Sequence, residues 1–300
     1  MTGIIIANFE QGKPSSEIVN KIKRLKEEFG LLNIVIEVIY NDGTLAVVKD
    51  GQIQIKIKEC DFVVYLDKDK YLAKLLTKAG YRLFPRADFI EICDDKMLTH
   101  IALANNNIPM PKTYAGPLIY YPDRMTDFSF INKLEKLIGY PLVIKPVHGS
   151  LGKDIKYVQN RDSFIEKFKE LAHLPLIFQE YISAQYGRSV RVMIIDHEIL
   201  GSYSRINKMD FRSNYGQEAS SEPFELDEKF RELSLKIANL LDIEYAGIDF
   251  LFGEKGEPIL CEINSNAFFK EFEKTTNINV AGAFAAMIVN KVMKENMKKE

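Results

Sequence analysis

The sequence predicts a small α/β unit followed by further units of strands and helices, and three observations carry that expectation. Over residues 1–92, β-branched runs alternate with segments of helical period, the pattern of a small parallel-sheet unit. From residue 93 onward, strands and helices continue through a plausible central unit and a remainder that ends in a helical C-terminus. Hydrophobic residues at 46% and charged residues at 27% are globular proportions, so wholesale disorder is excluded. The 300 residues are enough for two or three packed units.

In order along the chain, residues 3–9 form a first strand and 10–16 a turn with a helix N-cap. Residues 17–29 place Ile18, Ile22, Leu25 and Phe29 at helical spacing, with Gly30 as the stop. A strand at 33–40 precedes two short alternating segments punctuated by Asn41-Asp42-Gly43 and Asp50-Gly51, which suggest a hairpin. A strand at 61–67 and a helix to about Ala79 complete this unit. Residues 94–107 read as one helix ended by Pro109 and Pro111. A helix at 128–138 then leads to strands 141–146 and 155–158, helix 161–172 and strand 176–182. Strands 190–195 and 198–205, a polar loop 207–225, a helix near 227–240, strands 244–252 and 257–263, and a helical C-terminus with a frayed, solvated end complete the reading.

With 40 Lys plus Arg against 42 Asp plus Glu, the net charge of −2 argues against a protein built to coat nucleic acid or anionic lipid. Cys60, Cys93 and Cys261 have no metal-like spacing, and an odd count fits a reducing cytoplasm. The opening residues lack the basic flank of a signal peptide, and no apolar run approaches bilayer length. His100, His148, His173 and His197 suggest neither a metal site nor a triad, and no Gly-x-Ser-x-Gly elbow exists, so nucleophilic hydrolysis is unsupported.

Three segments point to chemistry. In the hairpin of residues 244–265, side chains alternate faces, so Glu262 and Asn264 share one, about 7 Å apart. A six-residue turn would oppose Phe252 to Ile259 and, by counting back, Asp249 to Glu262. Two carboxylates and an amide oxygen converging there need a counter-charge, and oxygen-only ligands suit a hard cation such as Mg²⁺. The competing reading is a hairpin whose acids face solvent. The second segment is Pro141-Leu-Val-Ile-Lys145-Pro-Val-His-Gly149-Ser-Leu-Gly152-Lys153, in which a lysine ends an apolar strand before a glycine-rich turn. Its backbone N–H groups can cradle phosphate, though the spacing is not that of a Walker A loop, and a plain surface turn is the alternative. The third is a cluster of cations, Arg188, Arg191, Arg205, Lys208 and Arg212, met only by Asp196, Glu198 and Asp210. Arg191 lies inside an apolar strand, so it needs an anionic partner, a substrate or an internal carboxylate.

Taken in order, these features resemble the ATP-grasp superfamily and, within it, the RimK-like carboxylate–amine ligases. The resemblance covers about residues 94–286. It rests on Asp94-Asp-Lys96, Leu142-Val-Ile-Lys145-Pro with Gly149-Ser-Leu-Gly-Lys153, Gln179-Glu-Tyr-Ile182, Phe211-Arg-Ser-Asn214, Gly247-Ile-Asp249 and Glu262-Ile-Asn264. It implies an ATP-grasp fold with an N-terminal α/β pre-ATP-grasp domain at 1–92, a central lobe at 93–182 and a C-terminal lobe with the metal site at 183–300. ATP would lie between two α+β lobes, with Lys96 and Lys145 on its phosphates and Gly149, Ser150, Gly152 and Lys153 closing over them. Gln179, Glu180, Tyr181 and Ile182 would form the hinge beside adenine, and Arg212 and Asn214 would face the triphosphate. Asp249, Glu262 and Asn264 would hold two Mg²⁺ ions, with Mn²⁺ as the alternative, while Arg191 and Arg205 would serve the transferred phosphate and the acceptor carboxylate.

The implied reaction joins a small-molecule carboxylate and an amine through an acylphosphate, with an amino acid such as glutamate as substrate. Ligation on a peptide or protein and a non-catalytic nucleotide-binding module are the alternatives. Neither nucleic acid nor membrane is expected as a partner, and a homo-oligomer is expected by analogy alone. Two departures stand out. Ser189 occupies a position, two after Gly187, that is often acidic in the family. Ser265-Asn-Ala-Phe-Phe-Lys270-Glu replaces a small Pro-Gly turn at the edge of the acceptor pocket.

Overall fold

The computed structural model describes residues 1–8, 15–149, 152–214 and 219–298. The N-terminal part comprises β1 (Thr2–Asn8), α1 (Ser16–Leu31), β2 (Val35–Asn41), β3 (Ala46–Lys49), β4 (Gln52–Ile55), β5 (Phe62–Leu66), α2 (Lys70–Lys78), β6 (Leu83–Phe84) and α3 (Ala87–Asp94). Strands β2-β1-β5-β6 form a parallel sheet, and β3-β4 is the hairpin expected at Asp50-Gly51. The central part comprises α4 (Lys96–Leu103), β7 (Thr113–Ala115), α5 (Phe130–Leu137), β8 (Leu142–Pro146), β9 (Lys156–Val158), α6 (Arg161–Leu171) and β10 (Leu176–Glu180). Its sheet, β7-β10-β8-β9, is antiparallel. The remainder comprises β11 (Arg188–Ile195), β12 (Glu198–Ile206), β13 (Ser220–Pro223), α7 (Glu228–Leu240), β14 (Tyr245–Phe252), β15 (Pro258–Asn264), α8 (Lys270–Thr276) and α9 (Val280–Met297). Here the antiparallel order is β13-β12-β11-β14-β15.

The helix expected at 94–107 is α4, which spans only Lys96–Leu103 and follows a separate helix, α3, that ends at Asp94 and was not expected. Asp95 is extended, at φ −106° and ψ 112°, and its carboxylate accepts from the N–H groups of Met97 and Leu98. An aspartate that caps so well starts a helix rather than continuing one. Lys96 consequently opens α4, and its main-chain N–H bonds Val147 O at 3.0 Å, beside the end of β8. Strand β13 was hidden in the polar loop 207–225 because Ser220–Pro223 carries no apolar alternation. The C-terminal helix runs to Met297, and residues 299–300 of the expected frayed end lie outside the described residues.

Strand alternation places the site. In the five-stranded sheet, Val190, Val192, Ile248, Phe250, Leu260 and Ile263 face one way into a core with Phe230 and Ile237 of α7. The intervening residues face the other way, towards the central sheet. There, Leu142, Ile144, Leu176 and Phe178 pack on α5 and α6, which leaves Val143, Lys145 and Gln179 on the facing side. A third core joins α1 and the N-terminal sheet to Met193, Tyr245, Phe272 and the α9 residues Phe284 and Ile288. The C-terminal helices thus anchor the N-terminal sheet to the five-stranded sheet. Among the described residues, no helix is long and apolar enough to cross a membrane, and all three cysteines are free.

Candidate active site

The two facing sheets enclose a cleft with about 800 Å³ of atom-free space, the open solvent at its mouth included. The five-stranded sheet contributes its most polar row here. Arg191 on β11 pairs with Asp249 on β14, which in turn pairs with Glu262 on β15. The expected opposition of Asp249 and Glu262 therefore holds, but by a different path. The turn is shorter than expected, since Phe252 opposes Pro258 and Leu251 opposes Ile259. The register then shifts between Asp249 and Phe250, so that Cys261 is the extra residue of a bulge and Glu262 regains the row.

Asp249 is the most heavily bonded group in this row. Arg191 donates to it through Nε and Nη2 at 2.7 and 2.6 Å, Arg205 Nη2 lies 2.8 Å from Oδ1, and Asn264 Nδ2 donates to Oδ2 at 3.3 Å. Burial pushes the Asp249 pKa upward, but the Arg191 and Arg205 guanidiniums outweigh it and hold the carboxyl below its ordinary value. The internal partner that Arg191 needs is thus Asp249. Glu262 differs in making no hydrogen bond or ion pair to the described residues while lining the cleft. Arg205 Nε is buried without a hydrogen-bond partner, and Arg205 also lines the cleft. An orphaned guanidinium donor beside an uncommitted carboxylate suits both an anionic and a cationic guest.

From the central sheet, Lys145 Nζ donates to Gln179 Oε1 at 2.6 Å, and Gln179 Nε2 donates to Thr113 Oγ1 at 2.8 Å. His100 Nε2 lies 3.3 Å from the same amide nitrogen. Burial, reinforced by the Lys145 charge, pushes His100 down to about 4, so the ring is neutral at physiological pH and adds no charge. Lys96 Nζ donates to Gly149 O at 3.1 Å. Burial lowers its pKa, and Glu262 acts in the opposite direction. Arg212 Nη1 donates to Gly152 O at 2.8 Å, while Nε and Nη2 reach Asp210 at 2.9 and 2.8 Å. One guanidinium therefore ties the glycine turn of one lobe to a loop of the other. Gly152 at φ +68° has the left-handed backbone that such a turn needs. Tyr181 and Phe211 line the cleft and pack with Tyr157 behind them, ring centroids 4.8–5.9 Å apart.

Of the residues singled out from the sequence, the cleft brings together Lys96, Lys145, Gly152, Gln179, Glu180, Tyr181, Ile182, Arg205, Arg212, Asn214, Asp249 and Glu262. Gly149, Lys153, Arg191 and Asn264 do not line it, although Gly149 contacts Lys96 and the last two contact Asp249. Ser150 lies outside the described residues. His148 is bonded to Asp94 and is a loop histidine. The reading missed Val143, Leu251 and Ser213 as walls. Strand parity could have found the first two, since Val143 is two from Lys145 and Leu251 two from Asp249. Ser189 also lines the cleft, where its hydroxyl pairs with Ser213 Oγ at 2.6 Å, so a neutral pair stands at the often-acidic position.

The donor set fits Mg²⁺. Among the described residues no three His, Cys, Asp or Glu side chains stand close enough to form a metal cluster. The available set is two carboxylates and an amide oxygen, all hard donors. A cation at Asp249 must displace or compete with a guanidinium, whereas Glu262 is uncommitted.

The row also depends on a close approach at Gly247. A Cβ there would fall 2.9 Å from Ala267 Cβ and 3.2 Å from Arg191 Nε. Gly247→Ala is expected to overpack this point by about 1–3 kcal/mol and push Arg191 off Asp249. Thermal melting together with turnover would read both effects, and an unchanged melt would contradict the packing argument.

Comparison with known proteins agrees with this geometry. Residues 93–288 match the model of the RimK-like ATP-grasp domain. N-acetylaspartylglutamate synthase A of Homo sapiens is 29% identical over 226 residues, covering 74% of this chain and 56% of that protein. A D-alanine–D-alanine ligase from Bacillus anthracis superposes with a TM-score of 0.74 at 20% identity, covering 100% of both chains. The ATP-grasp ligase PsnB, solved with a phosphomimetic variant of its minimal precursor, Mg and ADP, gives 0.65 at 15% identity, over 96% of this chain and 97% of that one. A cleft between two antiparallel sheets, lysines on one face and paired carboxylates on the other, and a family match over residues 93–288 together mean that this chain belongs to the RimK-like ATP-grasp family of ATP-dependent carboxylate–amine ligases.

Proposed function

We propose that the chain joins an amine, with glutamate as the favoured substrate, to a small carboxylate through an acylphosphate. The observation that carries this reading is the placement of two kinds of charge on opposite walls of one cleft. Lys96 and Lys145 stand on one wall, and Asp249, Glu262 and the unfilled Arg205 donor stand on the other. That is the arrangement a triphosphate and its counter-ion need. The preference for glutamate is supported by the relative named for N-acetylaspartylglutamate synthesis.

In the first step a carboxylate oxygen attacks the γ-phosphorus of ATP, the bond to the β-phosphate oxygen breaks, and ADP leaves. In the second, the neutral amine attacks the acyl carbon, and phosphate departs with the former carboxylate oxygen and the proton that the amine nitrogen gives up. A free carboxylate would have to expel oxide, which is why it must be phosphorylated first. Lys96 and Lys145 hold the phosphates, and Gly149, Ser150, Gly152 and Lys153 cover them. Gln179 to Ile182 border the base, and Arg212 and Asn214 border the phosphates from the other lobe. Arg205 stabilises the charge that develops on the transferred group, with Arg191 fixing Asp249 beside it. Asp249, Glu262 and Asn264 would hold Mg²⁺, two ions in our reading, which neutralises phosphate charge when bound. Residues 1–92 form the pre-grasp unit, 93–182 the central lobe and 183–300 the metal-bearing lobe.

Purified protein incubated with ATP, Mg²⁺, glutamate and N-acetylaspartate should release ADP and phosphate and yield a condensed product by mass. Turnover only with glutamyl peptides would instead favour peptide ligation, for which the likeness to a precursor-bound ligase is the supporting observation. Tight ATP binding with no turnover across both substrate sets would overturn the ligase reading.

A further inference from the structure

Lys21 is a buried ammonium for which the reaction has no use as described. It projects from α1 and is 1% exposed. Its Nζ donates to Ala267 O at 3.0 Å and to Asn266 Oδ1 at 3.3 Å, with the Tyr245 hydroxyl at 3.4 Å. The rings of Tyr245 and Phe269 lie 4.7 and 5.6 Å away. No carboxylate of the described residues forms an ion pair with it. Burial and, secondarily, repulsion from Arg191 push Lys21 down to about 7. A lysine buried among neutral acceptors is costly, and an apolar residue would cover α1 equally well.

Its partners explain its position. Asn266 and Ala267 belong to the segment that follows Asn264 and replaces the expected small turn. Asn266 Nδ2 also donates to Tyr65 O and Asp67 O, at 3.2 and 3.4 Å, at the carboxyl end of β5. The Ala267 methyl lies over Gly247 alongside Arg191, with no room for a Cβ between them. A chain of contacts thus runs from α1 through Lys21 and Ala267 to the arginine that grips Asp249.

We propose that Lys21 is a positioning residue for the phosphoryl- and acyl-transfer steps: it holds residues 265–269 in place and thereby seats Arg191 against Asp249. The inference rests on the ligase reading above and extends it to a residue of the pre-grasp unit. Lys21 does not line the cleft, so its loss should affect rate and spare ATP binding.

The test compares wild type, Lys21→Met and Asn266→Ala in three measurements. These are ATP binding by calorimetry, steady-state turnover on the glutamate and N-acetylaspartate pair, and hydrogen exchange of residues 265–269. Lys21→Met should keep the ATP Kd within about twofold and lower kcat by about 10–100-fold, with faster exchange in the segment. Asn266→Ala, which frees the same segment by removing its bonds to Lys21, Tyr65 and Asp67 without touching α1, should show the same split and serves if Lys21→Met does not fold. Wild-type kcat in both variants would overturn the proposal, as would ATP affinity and kcat falling together. If wild type itself does not turn over, the ligase reading fails. Exchange then decides alone, with unchanged protection at 265–269 overturning the positioning role.

Discussion

Asp249→Asn is expected to lower ligation by about 10²–10³-fold, the scale of losing one preorganised charge at a developing transition state. It should also destabilise the fold. Asp249 is the shared counter-charge of two buried guanidiniums, with Arg191 bonded through both carboxylate oxygens and Arg205 2.8 Å from one of them. Asparagine keeps the volume and removes the charge. Breaking a buried pair from one side costs about 3–5 kcal/mol, because the remaining cation has neither water nor a counter-ion. Glu262→Gln separates the two effects. Glu262 stands opposite Asp249 and has no partner among the described residues, so its loss should reduce turnover and leave the melting temperature in place. Melts and ADP release on both variants check this. Equal destabilisation by the two would contradict the division of roles.

Lys145→Met should weaken ATP binding about 10–100-fold, the loss expected when a charge-assisted hydrogen bond of about 1.5–3 kcal/mol disappears. Lys145 is 8% exposed, so its stem is packed on both sides and methionine preserves that packing. Its one described hydrogen bond, to Gln179 Oε1, orients the amide that also bonds Thr113. The ammonium is thus aimed before any phosphate arrives. Titration of ATP binding reads the effect directly. A variant that binds ATP as tightly as wild type would remove Lys145 from the phosphate site. A variant impaired in kcat alone would assign it to the transition state instead.

The legible parts of this molecule were those governed by strand alternation. Opposing Asp249 to Glu262 needed only period-two counting, and two departures, a shorter turn and the bulge at Cys261, cancelled. That cancellation could not have been foreseen, since a bulge leaves no compositional mark when its extra residue is half-buried like Glu262 beside it. The start of α4 was legible, because an aspartate two residues before Met97 is a good cap, whereas the preceding helix α3, whose N-cap Arg86 makes no side-chain cap bond, was missed. Lys21 shows the limit most clearly. Ile18 and Leu25 lie three before and four after it, so it stands on the buried stripe of α1. Pattern alone marks such a lysine as an exception and cannot name its partners, because Asn266 and Ala267 lie more than two hundred residues away. The Tyr157, Tyr181 and Phe211 cluster was invisible for the same reason, as its members come from separate elements.

The central claim is that a carboxylate is activated as an acylphosphate in this cleft, and following its oxygen tests that most directly. With N-acetylaspartate labelled with ¹⁸O in its carboxylates, glutamate, ATP and Mg²⁺, the account predicts that each phosphate released carries one labelled oxygen, and that the carbonyl of the new amide keeps the other. Unlabelled phosphate released alongside amide product would contradict it, because the carboxylate oxygen would then never have been bonded to phosphorus.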